Sequence, residues 1–176
     1  MRMTNRFCSF ALWLVLATVP SGRMAAFAQS SQAQSDSYEW SAELVAFDEA
    51  TRMLTVKAMA AGDALKHAAA LKTGEKVLLT WSVFEKHANA VNGVHKYDAT
   101  RKPESGHAFP AEFVGYDTNV GRITFKAPIP ADSVSRTKAL KPGQWVTATS
   151  RPGTHAETQA ITAVRGYNDL ETAGAK

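Results

Sequence analysis

Five histidines, His67, His87, His95, His107 and His155, are the obvious candidate metal ligands of this chain. Three of them, His87, His95 and His107, fall within 21 residues. Neutral imidazoles joined by an oxygen ligand such as Asp98 or Glu85 are a donor set for a divalent ion. No pair has the helical i, i+4 or short strand spacing that presets such a site. Only His95 lies on a predicted strand, so solvated surface histidines are the plainer reading. Carboxylates recur in register: Glu43 with Glu112, and Asp63 with Asp132. Paired acids do acid/base work when a cleft raises the pKa of one. Here Glu43 faces Lys57, and Glu112 faces Lys126, as cross-strand charge pairs on the outside of a hairpin. No G-x-S-x-G, S-x-x-K, H-E-x-x-H or phosphate-loop pattern is present. Ser82, Ser105 and Ser150 have no base close in sequence. The chain therefore reads as non-catalytic, with no cofactor.

Aromatic side chains are the better binding signal. Trp81 and Tyr97, then Trp145 and Tyr167, sit at strand positions or strand starts, where an exposed ring can stack on a ligand or a partner. Alternation points Trp81 inward. Trp145 stands where the earlier copy of its motif has Lys76, so it is the stronger candidate for exposure.

That motif is part of an internal correspondence. Residues 42–48 (AELVAFD) return as 111–117 (AEFVGYD), and 54–58 (LTVKA) as 123–127 (ITFKA), both at an offset of 69. Residues 71–74 (LKTG) return as 140–143 (LKPG), and 90–97 matches 160–167 at an offset of 70. Such self-similarity dictates architecture before any single motif does. Each copy reads as strand, polar turn, alternating strand, short helix or loop, and two more strands. Leu44 with Phe47, and Phe113 with Tyr116, are apolar positions three apart, which predicts a bulge near Val45-Ala46 and again in the second copy. A helix is expected over 60–71, stopped by Gly74, with a less helical start in the second copy at Pro128-Ile129-Pro130. The fold class is all-β with a short helix or loop per unit, as two tandem OB-like or rolled antiparallel barrels.

The ends of the chain set its location. Arg2 and Arg6 precede an apolar run of 13 residues over 7–19, and Ala26-Phe27-Ala28 offers a cleavage site. This is a secretory signal pattern, and the run is far shorter than the roughly 20 residues of a membrane span. The expected organisation is a signal peptide over 1–28, a disordered polar linker over 29–37, a first β-unit over 38–106 and a second over 107–176. The whole chain has 20 Lys and Arg against 16 Asp and Glu. Loss of Arg2, Arg6 and Arg23 leaves 17 bases, so the basic balance belongs mostly to the leader and nucleic acid is not an expected partner. Cys8, the single cysteine, leaves with it, which excludes thiol catalysis, thiolate metal sites and disulfides from the mature chain.

The pattern of hydrophobic-x-x-hydrophobic-Asp, polar turn and alternating strand, followed by Lys-x-Gly-x-x-Val-x-x-Thr, resembles small periplasmic OB-like barrels. These include copper-binding accessory proteins of cation-efflux systems and related domains of unknown function. The resemblance implies a periplasmic β-barrel. It also implies a cuprous site made by a His, a Trp and a Met-x-Met pair, whereas the corresponding interval here holds Met59 and His67 without a Met-x-Met or a Trp. The reading that emerges is a periplasmic or secreted binding module for an envelope protein or an envelope-derived ligand, with no membrane span after signal cleavage. The groove between the units is its expected site, drawing on Trp145, Tyr97, Trp81 and Tyr167. A copper- or zinc-binding accessory protein using His87, His95 and His107 is the alternative, and an envelope hydrolase stands third.

Overall fold

Alternating apolar and polar side chains build eight strands with two short helices between them. A computed structural model describes residues 37–85, 87–100, 107–151 and 161–167. The signal peptide expected over 1–28, the linker up to residue 36, the connection over 101–106 and His155 lie outside these residues. In order the elements are β1 (Tyr38–Asp48), β2 (Met53–Met59), α1 (Gly62–Ala68), β3 (Lys76–Phe84) and β4 (His87–Lys96). The same succession follows as β5 (Ala108–Asp117), β6 (Arg122–Pro128), α2 (Val134–Lys138), β7 (Trp145–Ser150) and β8 (Ile161–Gly166). A 3-10 turn at Ala131–Ser133 leads into α2, in keeping with the two prolines just before it. Helix α1 is shorter than the span expected: it ends at Ala68, and Gly74 serves instead, at φ +87°, the turn that launches β3.

Both halves share one eight-stranded sheet ordered β2-β6-β5-β3-β4-β1-β7-β8, and a β1–β2 pairing joins six of these strands in a ring. The ring is not a regular barrel. Its β1–β4 seam is parallel and only two residue pairs long, Glu39 with His87 and Trp40 with Ala88. Among the described residues neither half closes on itself, in contrast to two barrels in series. The third strand of each half pairs instead with the first strand of the other. Thus β3 runs against β5 with Lys76 opposite Glu112, and β7 runs against β1 with Trp145 opposite Glu43. These two pairs are related by the 69-residue offset. Gly74 N–H donates to Phe113 O and Phe113 N–H to Glu75 O, while Gly143 N–H donates to Leu44 O and Leu44 N–H to Gln144 O, all at 2.8 Å. Strands β2 and β6 lie where the halves meet, with Val56 opposite its own counterpart Phe125.

Both predicted bulges are present, between Leu44 and Ala46 on β1 and between Phe113 and Gly115 on β5. Leu44 and Phe113 are buried, but Tyr116, expected to be a core residue, is 42% exposed. Past the bulge the chain leaves the core and enters the Asp117 turn. The core is aromatic and unevenly shared. Trp40 stacks on Trp81 at 4.9 Å and on Phe109 at 5.8 Å, and Phe125 closes the group at 5.7 Å from Trp40. Trp81 corresponds to Ser150, whose hydroxyl accepts the Trp40 indole N–H at 2.8 Å. The small residue in one half makes room for the two indoles. Tyr38 meets its counterpart His107 edge-on at 5.0 Å, and burial pushes its phenol pKa up.

Local turns repeat the same chemistry. Asp48 accepts from Ala50 N–H and the Thr51 hydroxyl, and Asp117 from Asn119 N–H. Glu75 accepts from Lys72 N–H and Gln144 from Lys141 N–H. The Thr51 hydroxyl holds the Asp48 carboxyl below its ordinary pKa, Lys66 does so for Asp63, and Lys72 N–H for Glu75. A carboxyl depressed in the folded state contributes stability above its unfolded pKa of about 4, and that contribution disappears as pH falls through the folded value. The denaturation midpoint should therefore drop between about pH 5 and pH 2, and Asp48→Asn should flatten that drop; identical acid profiles for the two proteins would contradict this assignment.

Gly93 is required by close approach. A Cβ there would lie 2.4 Å from Thr80 Oγ1 and 3.3 Å from His95 Nε2. Gly93→Ala should cost about 1–3 kcal/mol in urea unfolding, and less in a Thr80→Ala background. Strict additivity of the two substitutions would show that Thr80 is not what a side chain at 93 meets.

Candidate functional site

The outer face of β1, β7 and β8 carries the feature best suited to binding. Tyr38, Trp40, Ala42 and Leu44 turn into the core, which leaves Glu39, Ser41 and Glu43 on the opposite face. The β1–β7 register sets Thr147 opposite Ser41 and Trp145 opposite Glu43. Arg165 on β8 then lies opposite Thr147. Together with the start of β4 and the end of β2, Glu39, Ser41, Trp145, Thr147 and Arg165 border a groove of about 1050 Å³, which Met59, His87 and Tyr167 also wall. Residues from both halves contribute to it.

Two aromatic rings form a corner in this groove. The Trp145 and Tyr167 centroids are 6.5 Å apart with the planes at 65°. Tyr167 N–H donates to Trp145 O at 3.0 Å, so backbone pairing holds the corner in place. Both rings keep a solvent-facing side, at 38% and 55% exposure. Arg122 backs Trp145 from β6, with its guanidinium carbon 5.4 Å from the ring centroid, a cation–π distance. Arg122 also donates to Glu43. Further along, Arg165 Nη2 donates to Glu39 Oε2 at 2.8 Å, while its enclosed Nη1 has no acceptor among the described residues. Each of these two glutamates is thus engaged by an arginine.

Of the four aromatic residues expected at a site, Trp145 and Tyr167 meet in the groove, and Trp81 and Tyr97 are placed elsewhere. Trp81 is 2% exposed, stacked in the core, as its alternation required. Tyr97 packs under Lys76 Nζ at 4.1 Å, and its N–H donates to Lys76 O. That is the place in the first half that Trp145 and Tyr167 occupy in the second. The three histidines do not converge. His87 borders the groove, His95 packs against His67 at 5.1 Å, and His107 packs against Tyr38. Among the described residues no group of three His, Cys, Asp or Glu is placed to hold a metal ion. Glu112 and Lys126 form the expected cross-strand pair at 2.9 Å. Glu43 is opposite Lys57 in register but reaches across β2 to Arg122 on β6. Arg122, Glu39 and Arg165 were not legible as site residues. The one available signal was that Arg165 stands where the first half has His95.

Trp40 and Trp81 are enclosed and Trp145 is open. In the chain freed of residues 1–28, iodide should quench one tryptophan component, and Trp145→Phe should remove that component. Retention of a quenchable fraction in Trp145→Phe would place the open indole elsewhere.

Comparison with family models, with characterised proteins and with solved structures returned no match for this chain.

Proposed function

We propose that this chain is an exported, periplasmic or secreted, non-catalytic binding module built from two diverged copies of an OB-like β unit. Its ligand or envelope partner occupies the groove between β1, β4 and the β7–β8 hairpin. The observation that carries this reading is the open Trp145–Tyr167 corner on a groove shared by both halves. Concave sites of about 300–1,000 Å³ with a few aligned polar groups are the usual form of a ligand pocket.

A metal-accessory role is the second reading, supported by the rings of His67 and His95, whose centroids lie 5.1 Å apart with the planes tilted by 44°. Two imidazoles on one tetrahedral ion, each with metal–nitrogen bonds of about 2.0–2.1 Å, place their ring centres at about this separation. A rise in thermal midpoint with Zn²⁺ or Cu²⁺ that His67→Ala abolishes would support it; an unchanged midpoint with every ion added would end it.

The groove reading is tested by affinity capture from envelope extract with the mature chain. Trp145→Ala should lower recovery of its partner at least about tenfold, the loss expected of an aromatic anchor, and Tyr97→Ala should leave it unchanged. Undiminished capture by Trp145→Ala would remove the groove from the account.

A further inference from the structure

We propose that the groove takes a neutral saccharide chain; this rests on the groove being the binding site and assigns its ligand class. Three observations point the same way. Charge comes first. Glu39 is paired with Arg165 on the groove, and Glu43 with Arg122 beside it, against the Trp145 ring. A polyanion would have to compete with the two glutamates for their arginines, and a polycation would have to do the reverse. Either leaves a half-buried charge without its partner, since these four side chains are only 19–29% exposed. A ligand without charge disturbs neither pair.

The second observation is the shape of the apolar surface. Trp145 and Tyr167 present two open faces set at 65°, with Met59, 41% exposed, on the same groove. Such faces suit flat, rigid rings with an apolar side and a polar rim, and a sugar ring has both. Backbone pairing fixes the anchor points of both rings, so little backbone freedom is lost when a ligand stacks on them. The third is hydrogen bonding. The polar groups that remain on the groove are mostly uncharged amides and hydroxyls, Ser41, Asn89, Gln144 and Thr147. Hydroxyls donate and accept at once, so a saccharide satisfies this mixed set where an aliphatic ligand would leave it unpaired.

The corresponding face of the first half is an internal control. There Lys76 replaces Trp145, His95 replaces Arg165 and Ala108 replaces Glu39, and Tyr97 is covered by Lys76. Only the second-half face carries both the open aromatic corner and the balanced charges.

The test is calorimetric titration of the mature chain with cellotetraose, maltotetraose and tetra-N-acetylchitotetraose, and, as charged probes, with heparin and polylysine. At least one tetrasaccharide should bind, with an affinity that changes less than about twofold between 50 and 500 mM NaCl, because no ion pair is formed. Trp145→Ala should weaken it at least about tenfold, Trp145→Phe should largely restore it, and Tyr97→Ala should stay within about twofold. Thermal melting of each variant separates lost binding from lost folding. If no tetrasaccharide binds at 10 mM, the saccharide assignment is wrong. It is equally wrong if binding is confined to heparin or polylysine and falls with salt. In that last case, sensitivity to Trp145→Ala keeps the groove as the site, and insensitivity removes the groove as well.

Discussion

Each half of this protein lends its third strand to the other half. Strand β3 completes the sheet beside β5, and β7 completes it beside β1. An isolated half would leave the edges of its first and third strands without their partners, exposing a row of backbone donors and acceptors. The exchange therefore makes folding of the two halves one event, and sets which residues stand side by side on the outer faces. The reciprocal 2.8 Å backbone bonds at Phe113 and at Leu44 are where this dependence is tightest.

The core shows how such an arrangement absorbs divergence. Residues that correspond by the 69-residue offset meet one another, as Trp40 does Phe109, Tyr38 does His107 and Val56 does Phe125. A volume gained on one side can therefore be matched by a volume lost on the other. Trp81 against Ser150 is the clearest case, since the serine both vacates space and accepts the Trp40 indole N–H. Close packing penalises voids and overfilling alike, so these positions are coupled through the shared interior although they lie far apart in the chain.

The surfaces of the two halves differ more than their backbones do, and the candidate site lies where they differ. The same backbone path carries Lys76 over Tyr97 in one half and Trp145 against Tyr167 in the other. In the first half the lysine's stem and charge cover the ring. In the second, the aromatic pair stays open and is backed by Arg122 from β6. The groove lies where β7 and β8 extend beyond the ring from β1, whereas β3 and β4 are built into it.

Local chemistry was legible in the chain. Alternation placed the strands and turned Trp81 inward, the apolar spacing at Leu44–Phe47 announced a bulge, and the replacement of Lys76 by tryptophan marked Trp145 as open. These are properties of neighbours within a few residues, where backbone geometry converts spacing directly into facing. Partnership across the sheet was not legible, because pairing depends on which distant edge is available, and each half could close by itself or share strands with the other. That choice belonged to the tertiary structure. It sent Glu43 to Arg122 instead of Lys57, separated Tyr97 from Trp145, and kept His87, His95 and His107 apart. Sequence alone determined the elements and the faces of their side chains; the exchange of strands decided which faces meet, since strands carry no label for their partner until the core is assembled.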